Sequence, residues 1–260
     1  MNIAAFFDLD GTLVPNSSLE RRLVWSLIRR GELGATQTAR WLTRILRFAA
    51  SDWFAATAGN KTYLAGIPAH AMEAWDADRG PLAINFYREG LECLERHAAL
   101  GCRIVFVSGT LAPLARGAAR ELELGLPLQT PILVCATELE QLGEILSGET
   151  AGPHLLRKGK AWVAWRLAAK HDFDLRASFA YGNSAADAGM LACVGHPFAV
   201  NPDSKLRRRA EKEGWTILHW DAPVAASAFE RGQAGPLHPG FACADFPASE
   251  QQLLSNRRLS

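Results

Sequence analysis

The apolar run from Ile3 to Phe7 breaks off at Asp8-Leu9-Asp10-Gly11-Thr12, and this junction constrains the fold more than any other feature. A short continuous apolar run bounded by turn residues reads as a strand buried on both faces. Two acids and a glycine directly after it belong on the loop at the strand's carboxyl end. In open α/β sheets that edge is where ligands bind.

The next stretch has a different rhythm. From residue 17 to about residue 80 the pattern is helical, with Leu23, Leu27 and Ile28, then Trp41, Ile45 and Phe48, at helical spacing. No strand pattern interrupts it, so a helical insert follows the first strand. From Ile84 the α/β alternation returns. The pattern predicts a helix over 84–100 stopped by Gly101, then a strand over 102–107 ending at Ser108-Gly109-Thr110. A helix to about Leu124, a strand over 132–136 and a polar hairpin over 137–150 follow. A helix over 160–171 and a strand over 178–181 ending at Gly182-Asn183-Ser184 come next, with further strands at 198–200 and 215–218. Strands alternating with helices predict a mostly parallel, doubly wound (Rossmann-like) α/β sheet. Beyond Asp221 the Pro, Gly and Ala content rises, and an irregular tail is expected.

Composition excludes several classes. Lys and Arg total 28 against 27 Asp and Glu, a formal charge of +1, which argues against nucleic acid as a partner. A chain 48% hydrophobic and 21% charged is not disordered. No apolar stretch reaches the roughly 20 residues of a membrane span, and Asp8 interrupts the start too early for a signal peptide. The five cysteines include no Cys-x-x-Cys pair and suggest neither disulfides nor a structural zinc site. A cytoplasmic protein is expected.

Four separated features fall at strand ends or helix starts on one predicted sheet edge: Asp8-Leu9-Asp10-Gly11-Thr12, Ser108-Gly109-Thr110, Lys160, and Gly182-Asn183-Ser184-Ala185-Ala186-Asp187. Carboxylates, hydroxyls and an ammonium gathered at one edge suit phosphoryl transfer. Carboxylates hold a hard cation such as Mg²⁺, the cation and the lysine neutralise phosphate oxygens, and a carboxylate can serve as covalent nucleophile.

In type and order these features resemble the four motifs of the haloacid dehalogenase superfamily. The segments Ala136-Thr137-Glu138-Leu139-Glu140 and 194–203 are similar to its phosphoserine-phosphatase-like branch, where a helical cap is inserted after the first strand. The resemblance implies a catalytic core over 1–15 and 83–221, a cap over 16–82 and a tail over 222–260. It implies an Mg²⁺-dependent phosphomonoester hydrolase acting on a small phosphorylated metabolite. Asp8 would be the nucleophile. Asp10 would be the general acid and then base, with its carbonyl on Mg²⁺, and Thr12 would steady Asp10. Thr12, Ser108, Gly109, Thr110 and Lys160 would surround the phosphate, with Lys160 also pairing with Asp8 and preferred to Lys158. Asp8, Asp10, Asn183 and, through water, Asp187 would serve the metal.

Two departures stand out. The family's fourth motif normally begins Gly-Asp, whereas this chain has Asn183, which offers a carbonyl oxygen without charge. For unit charges about 4 Å apart at an effective dielectric near 20, the missing charge is worth roughly 4 kcal/mol before compensation. A phosphate-binding protein that has lost catalysis is therefore the rival class. Phosphoserine phosphatases also carry an acid where this chain has Ser17, which disfavours phosphoserine as substrate. Arg40, Arg44 and Arg47 form a basic stripe on one predicted helix face. A solvated face is the plainer reading, and a phospholipid-type substrate with peripheral membrane contact is the other. The histidines show no ligand spacing.

Overall fold

The structure is a computed structural model that describes residues 2–15, 18–48, 61–72, 84–126, 128–152 and 158–225. Seven strands form one sheet: β1 (Ala4–Phe7), β3 (Arg103–Leu111), β4 (Leu133–Leu142), β5 (Ile145–Ala151), β6 (Phe179–Gly182), β7 (His196–Val200) and β8 (Thr216–Leu218). Their order is β5-β4-β3-β1-β6-β7-β8, and every pairing is parallel except β4 with β5. The expected doubly wound α/β sheet is present, with β1 at its centre.

Alternation along the strands builds two apolar layers, since successive side chains point to opposite faces. Ala5 and Phe7 of β1 join Ile104 and Phe106 of β3 in one layer. Helices α1 (Leu19–Arg29), α3 (Arg88–Ala99) and α4 (Ala112–Gly125) cover that layer. Ala4 and Phe6 join Val105 and Val107 in the other, under α5 (Lys158–His171), α6 (Ala188–Leu191) and α7 (Ser204–Glu213). The remaining long helix, α2 (Ala35–Phe48), belongs to the insert.

Described residues of the insert pack with the sheet. Leu19, Leu23, Leu27, Tyr63 and Leu64 belong to the same apolar cluster as Phe7 and Phe106. Segment 61–72 is also hydrogen-bonded to the β4–β5 hairpin: Gly66 N–H donates to the Leu146 carbonyl (2.9 Å), Leu146 N–H to the Ile67 carbonyl (2.9 Å), and Ala69 N–H to the Glu144 carbonyl (2.8 Å). Gly148 makes this approach possible. It has φ +83°, and a Cβ there would stand 2.9 Å from the Thr62 Cα.

Three sequence expectations need correction. The helix expected over 84–100 begins only at Arg88, because Asn85–Tyr87 forms β2, antiparallel to β9 (Pro223–Ala225). The same pairing makes the first residues of the expected irregular tail part of the fold; residues 226–260 lie outside the described residues. Lastly, Ser108-Gly109-Thr110 lies within β3 rather than after it. The register with β4 shifts between Val107 and Leu111, and the Thr137 hydroxyl donates to the Gly109 carbonyl (2.8 Å).

Candidate active site

The central strand delivers the first acid. Asp8 N–H donates to the Tyr181 carbonyl of β6 (3.0 Å), which pins the residue at the carboxyl end of β1. The chain then turns sharply, with Thr12 and Val14 N–H both donating to the Leu9 carbonyl. Gly11 sits in that turn at φ +84°, and a Cβ on it would stand 2.1 Å from Asn183 Nδ2. Glycine is thus required both by the left-handed backbone and by the approach of the β6 loop.

Five of the expected residues meet directly. Lys160 Nζ lies 2.5 Å from Asp8 Oδ1 and 2.5 Å from Asp187 Oδ1. Thr12 Oγ1 donates to Asp8 Oδ2 at 3.1 Å and lies 3.4 Å from Asn183 Oδ1. The family pattern has this threonine steadying Asp10, but its hydroxyl serves Asp8. Thr12 is fully buried, and its hydroxyl holds one oxygen of Asp8. Asp187 closes the β6 loop: its Oδ2 accepts Asn183 N–H (3.1 Å), Ser184 N–H (2.9 Å) and the Ser184 hydroxyl (2.9 Å). Both of its oxygens are taken, a clamp that spacing alone does not suggest.

Asp10 points elsewhere. Its Oδ1 accepts Leu19 N–H at 2.9 Å, so the second acid is tied to the first turn of helix α1. The β1–β3 pairing ends at Phe7↔Phe106, and β3 runs on past it, so Ser108-Gly109-Thr110 lies beyond the end of β1 on the same sheet edge. Ser108 and Thr110 are buried, with Thr110 N–H donating to Ser108 Oγ (3.2 Å). Thr110 Oγ1 makes no hydrogen bond by geometry, although it lies near enough to Asp10 to favour that carboxylate. The side chain of Lys158 lies outside the described residues.

The charges explain the titration of the site. Burial, and then the like charge of Asp187, push the Asp8 carboxyl up to about 7 against the pull of Lys160. Lys160 is held above its ordinary value, because the attraction of two carboxylates outweighs its own burial. One ammonium between two carboxylates leaves the cluster with excess negative charge. Asp10 is also raised, mainly by burial, with the Leu19 N–H opposing.

The same excess charge suits a hard cation. Asp8 Oδ2 and Asn183 Oδ1 flank one hydroxyl, supplying a carboxylate and an amide oxygen of the kind Mg²⁺ accepts alongside water. Among the described residues no group of three or more His, Cys, Asp or Glu gathers as a metal site. A Mg²⁺ site built on these two atoms would be one of mixed oxygens, with less charge than a pair of carboxylates would give.

Sequence reasoning missed a second, part-buried ion pair, between the start of α1 and residue 61. Lys61 Nζ lies 2.6 Å from both carboxylate oxygens of Glu20, and the Tyr63 hydroxyl also donates to Glu20. Nothing in the spacing of residues 20 and 61 signals this contact.

Comparison with known proteins agrees with the geometry. The chain is 34% identical over 159 residues to the "Inhibition of morphological differentiation protein" of Streptomyces azureus, covering 60% of this chain and 53% of that protein. It is 29% identical over 258 residues to the phosphoserine phosphatase SerB1 of Mycobacterium tuberculosis, covering 93% and 78%. A Bordetella pertussis protein of unknown function superposes with a TM-score of 0.63 at 25% identity, over 84% of this chain and 98% of that one. A substrate-bound phosphoserine phosphatase shares the fold, with a TM-score of 0.56 at 18% identity over 84% and 93%. Residues 5–192 match the family model of haloacid dehalogenase-like hydrolases, and the chain belongs to that family.

Proposed function

We propose that this hydrolase is a Mg²⁺-assisted phosphomonoesterase that works through a phosphoaspartate on Asp8. The observation that carries the proposal is the Asp8 carboxylate, fixed at the sheet edge by Lys160 on one oxygen and Thr12 on the other. A side chain so held is preorganised for attack, and Lys160 is placed to neutralise incoming phosphate oxygens.

The proposed chemistry has two steps. An Asp8 oxygen bonds to phosphorus as the bond to the alcohol oxygen breaks, and Asp10 gives that oxygen its proton. Water then attacks the phosphorus, Asp10 takes a proton back, and inorganic phosphate leaves with Asp8 restored. The raised titration of Asp10 favours the protonated form that the first step needs. Bound at Asp8, Asn183 and the Asp10 carbonyl, Mg²⁺ would supply charge neutralisation for the phosphoryl oxygens. Ser108 and the Gly109 and Thr110 amides line the phosphate seat.

The substrate is a small phosphorylated metabolite. Relatives named phosphoserine phosphatase and one named histidinol-phosphatase, from Neisseria meningitidis at 25% identity, point to small phosphomonoesters without agreeing on one. The test is hydrolysis of p-nitrophenyl phosphate with Mg²⁺. Asp8→Asn should lower the rate by about 10³-fold or more, and wild type should yield an acid-stable phosphoprotein that the variant does not. Equal rates overturn the proposal. A chain that binds phosphate but never becomes phosphorylated belongs instead to the binding class that Asn183 raises.

A further inference from the structure

We infer that the alcohol part of the substrate is apolar and lodges in the pocket between α1 and α2. This rests on the phosphomonoesterase reading and adds a substrate class to it. The pocket holds about 360 Å³, within the range of small-ligand sites. Its position follows from Asp10. Ser18 and Glu20 line it and flank Leu19, whose N–H holds the Asp10 carboxylate. An alcohol oxygen protonated by Asp10 therefore leaves from the start of α1, and the rest of the alcohol extends along that helix.

Its walls are largely hydrocarbon, with Val24, Ile28, Leu33 and Trp41 facing the space. Ile28 is 49% exposed although it faces a cavity, so apolar surface there stays in contact with water until something covers it. Glu20 is the acid among the described lining residues, and its charge is already answered. Lys61 is only 3% exposed and grips both of its oxygens, while Tyr63 donates a further hydrogen bond. An ammonium group seeking Glu20 would have to strip a buried lysine of its carboxylate. Arg21 lines the pocket as an exposed residue that solvent screens. Among its described lining residues the pocket thus favours buried hydrocarbon and offers a substrate ammonium no free carboxylate.

Two measurements on the full chain test this. In the first, kcat/KM with Mg²⁺ is compared for phosphoserine, phosphoethanolamine and an n-alkyl phosphate series. Ethyl to hexyl phosphate should gain about 3- to 4-fold per methylene, and hexyl phosphate should exceed both amino substrates. A plateau near hexyl marks a soluble apolar alcohol, and a rise continuing to dodecyl phosphate marks a lipid alcohol; either supports the apolar class. Trp41→Ala should flatten the series. Lys61→Gln should free Glu20 and raise phosphoethanolamine relative to hexyl phosphate about tenfold, whereas the charge-neutral pair Glu20→Gln/Lys61→Gln should keep the wild-type order. A flat series, or phosphoserine at or above hexyl phosphate, overturns the inference while leaving the phosphatase reading intact.

The second measurement needs no turnover. Calorimetry should show hexylphosphonate binding at least tenfold tighter than methylphosphonate to wild type, and the difference should vanish in Trp41→Ala. Equal affinities overturn the inference even if every phosphate ester proves inert, an outcome that would independently sink the phosphatase reading.

Discussion

Two lysines in this protein are equally buried, each only 3% exposed, and they differ in how their charge is balanced. Lys61, in the cap, faces one carboxylate, that of Glu20, and the pair is neutral. Lys160, at the sheet edge, sits between Asp8 and Asp187 and leaves one negative charge over. The first arrangement is complete without a ligand. The second is balanced only when a further positive charge joins it. The contrast shows why buried acid–lysine pairs should be read by stoichiometry before function is assigned to them.

Removing each lysine should sharpen the contrast most. Lys160→Met leaves two carboxylates facing each other without a cation, and breaking a buried pair in this way costs about 3–5 kcal/mol. Activity toward an aryl phosphate should fall to background. Lys61→Met should cost less, about 1–3 kcal/mol, because Glu20 keeps Tyr63 and is itself 20% exposed. It should lower aryl phosphatase activity far less than Lys160→Met does, since Lys61 lies outside the phosphate site. Urea denaturation and initial rates check both. Equal stability losses would mean that stoichiometry does not separate the two sites.

The two lysines also differ in how far the amino-acid sequence reveals their partners. Asp8, Asp10, Ser108, Lys160 and Asn183 are legible there because each stands at the end of a periodic segment, where the alternation of strand and helix fixes which edge it reaches. The Glu20–Lys61 pair is not, since it depends on how two parts of an insert fold back on one another. Strand β2 is hidden for a similar reason: Asn85, Phe86 and Tyr87 run straight into a helical pattern, and only pairing with Val224 and its neighbours makes them a strand. The hairpin over 137–150 is legible as a hairpin, whereas its attachment to segment 61–72 through Gly66, Ile67 and Ala69 is not. The family pattern assigns Thr12 to Asp10, and only the turn geometry gives its hydroxyl to Asp8. Local pattern locates chemistry; contacts distant in sequence decide its partners.

Asn183 offers a smaller way to break the comparison. Asn183→Asp would add a second carboxylate beside Asp8, increasing the unbalanced charge that already separates this edge from the cap. Mg²⁺ affinity should rise on the order of tenfold, equivalent to about 1.4 kcal/mol, and turnover at limiting Mg²⁺ should rise with it. A Mg²⁺ titration of activity for the two forms checks this. Unchanged half-saturation would remove Asn183 from the metal site. The variant should also lose some stability without divalent cations, because the added charge meets Asp8 across Thr12.

The last effect is on stability against pH. Burial and Asp187 raise the Asp8 carboxyl from 3.8 to about 7 in the folded chain. Between those values the folded state therefore binds more protons than the unfolded chain, and stability falls as pH rises through that window. The favourable contribution is fully present below about pH 4 and is lost as pH passes 7. Asp8→Asn removes the titration, so without divalent cations it should gain stability relative to wild type between pH 5 and pH 8. Urea midpoints for wild type and Asp8→Asn at pH 5 and pH 8 in a chelating buffer make the comparison. If Asp8→Asn gains no stability relative to wild type between the two pH values, the sheet edge carries no unbalanced charge.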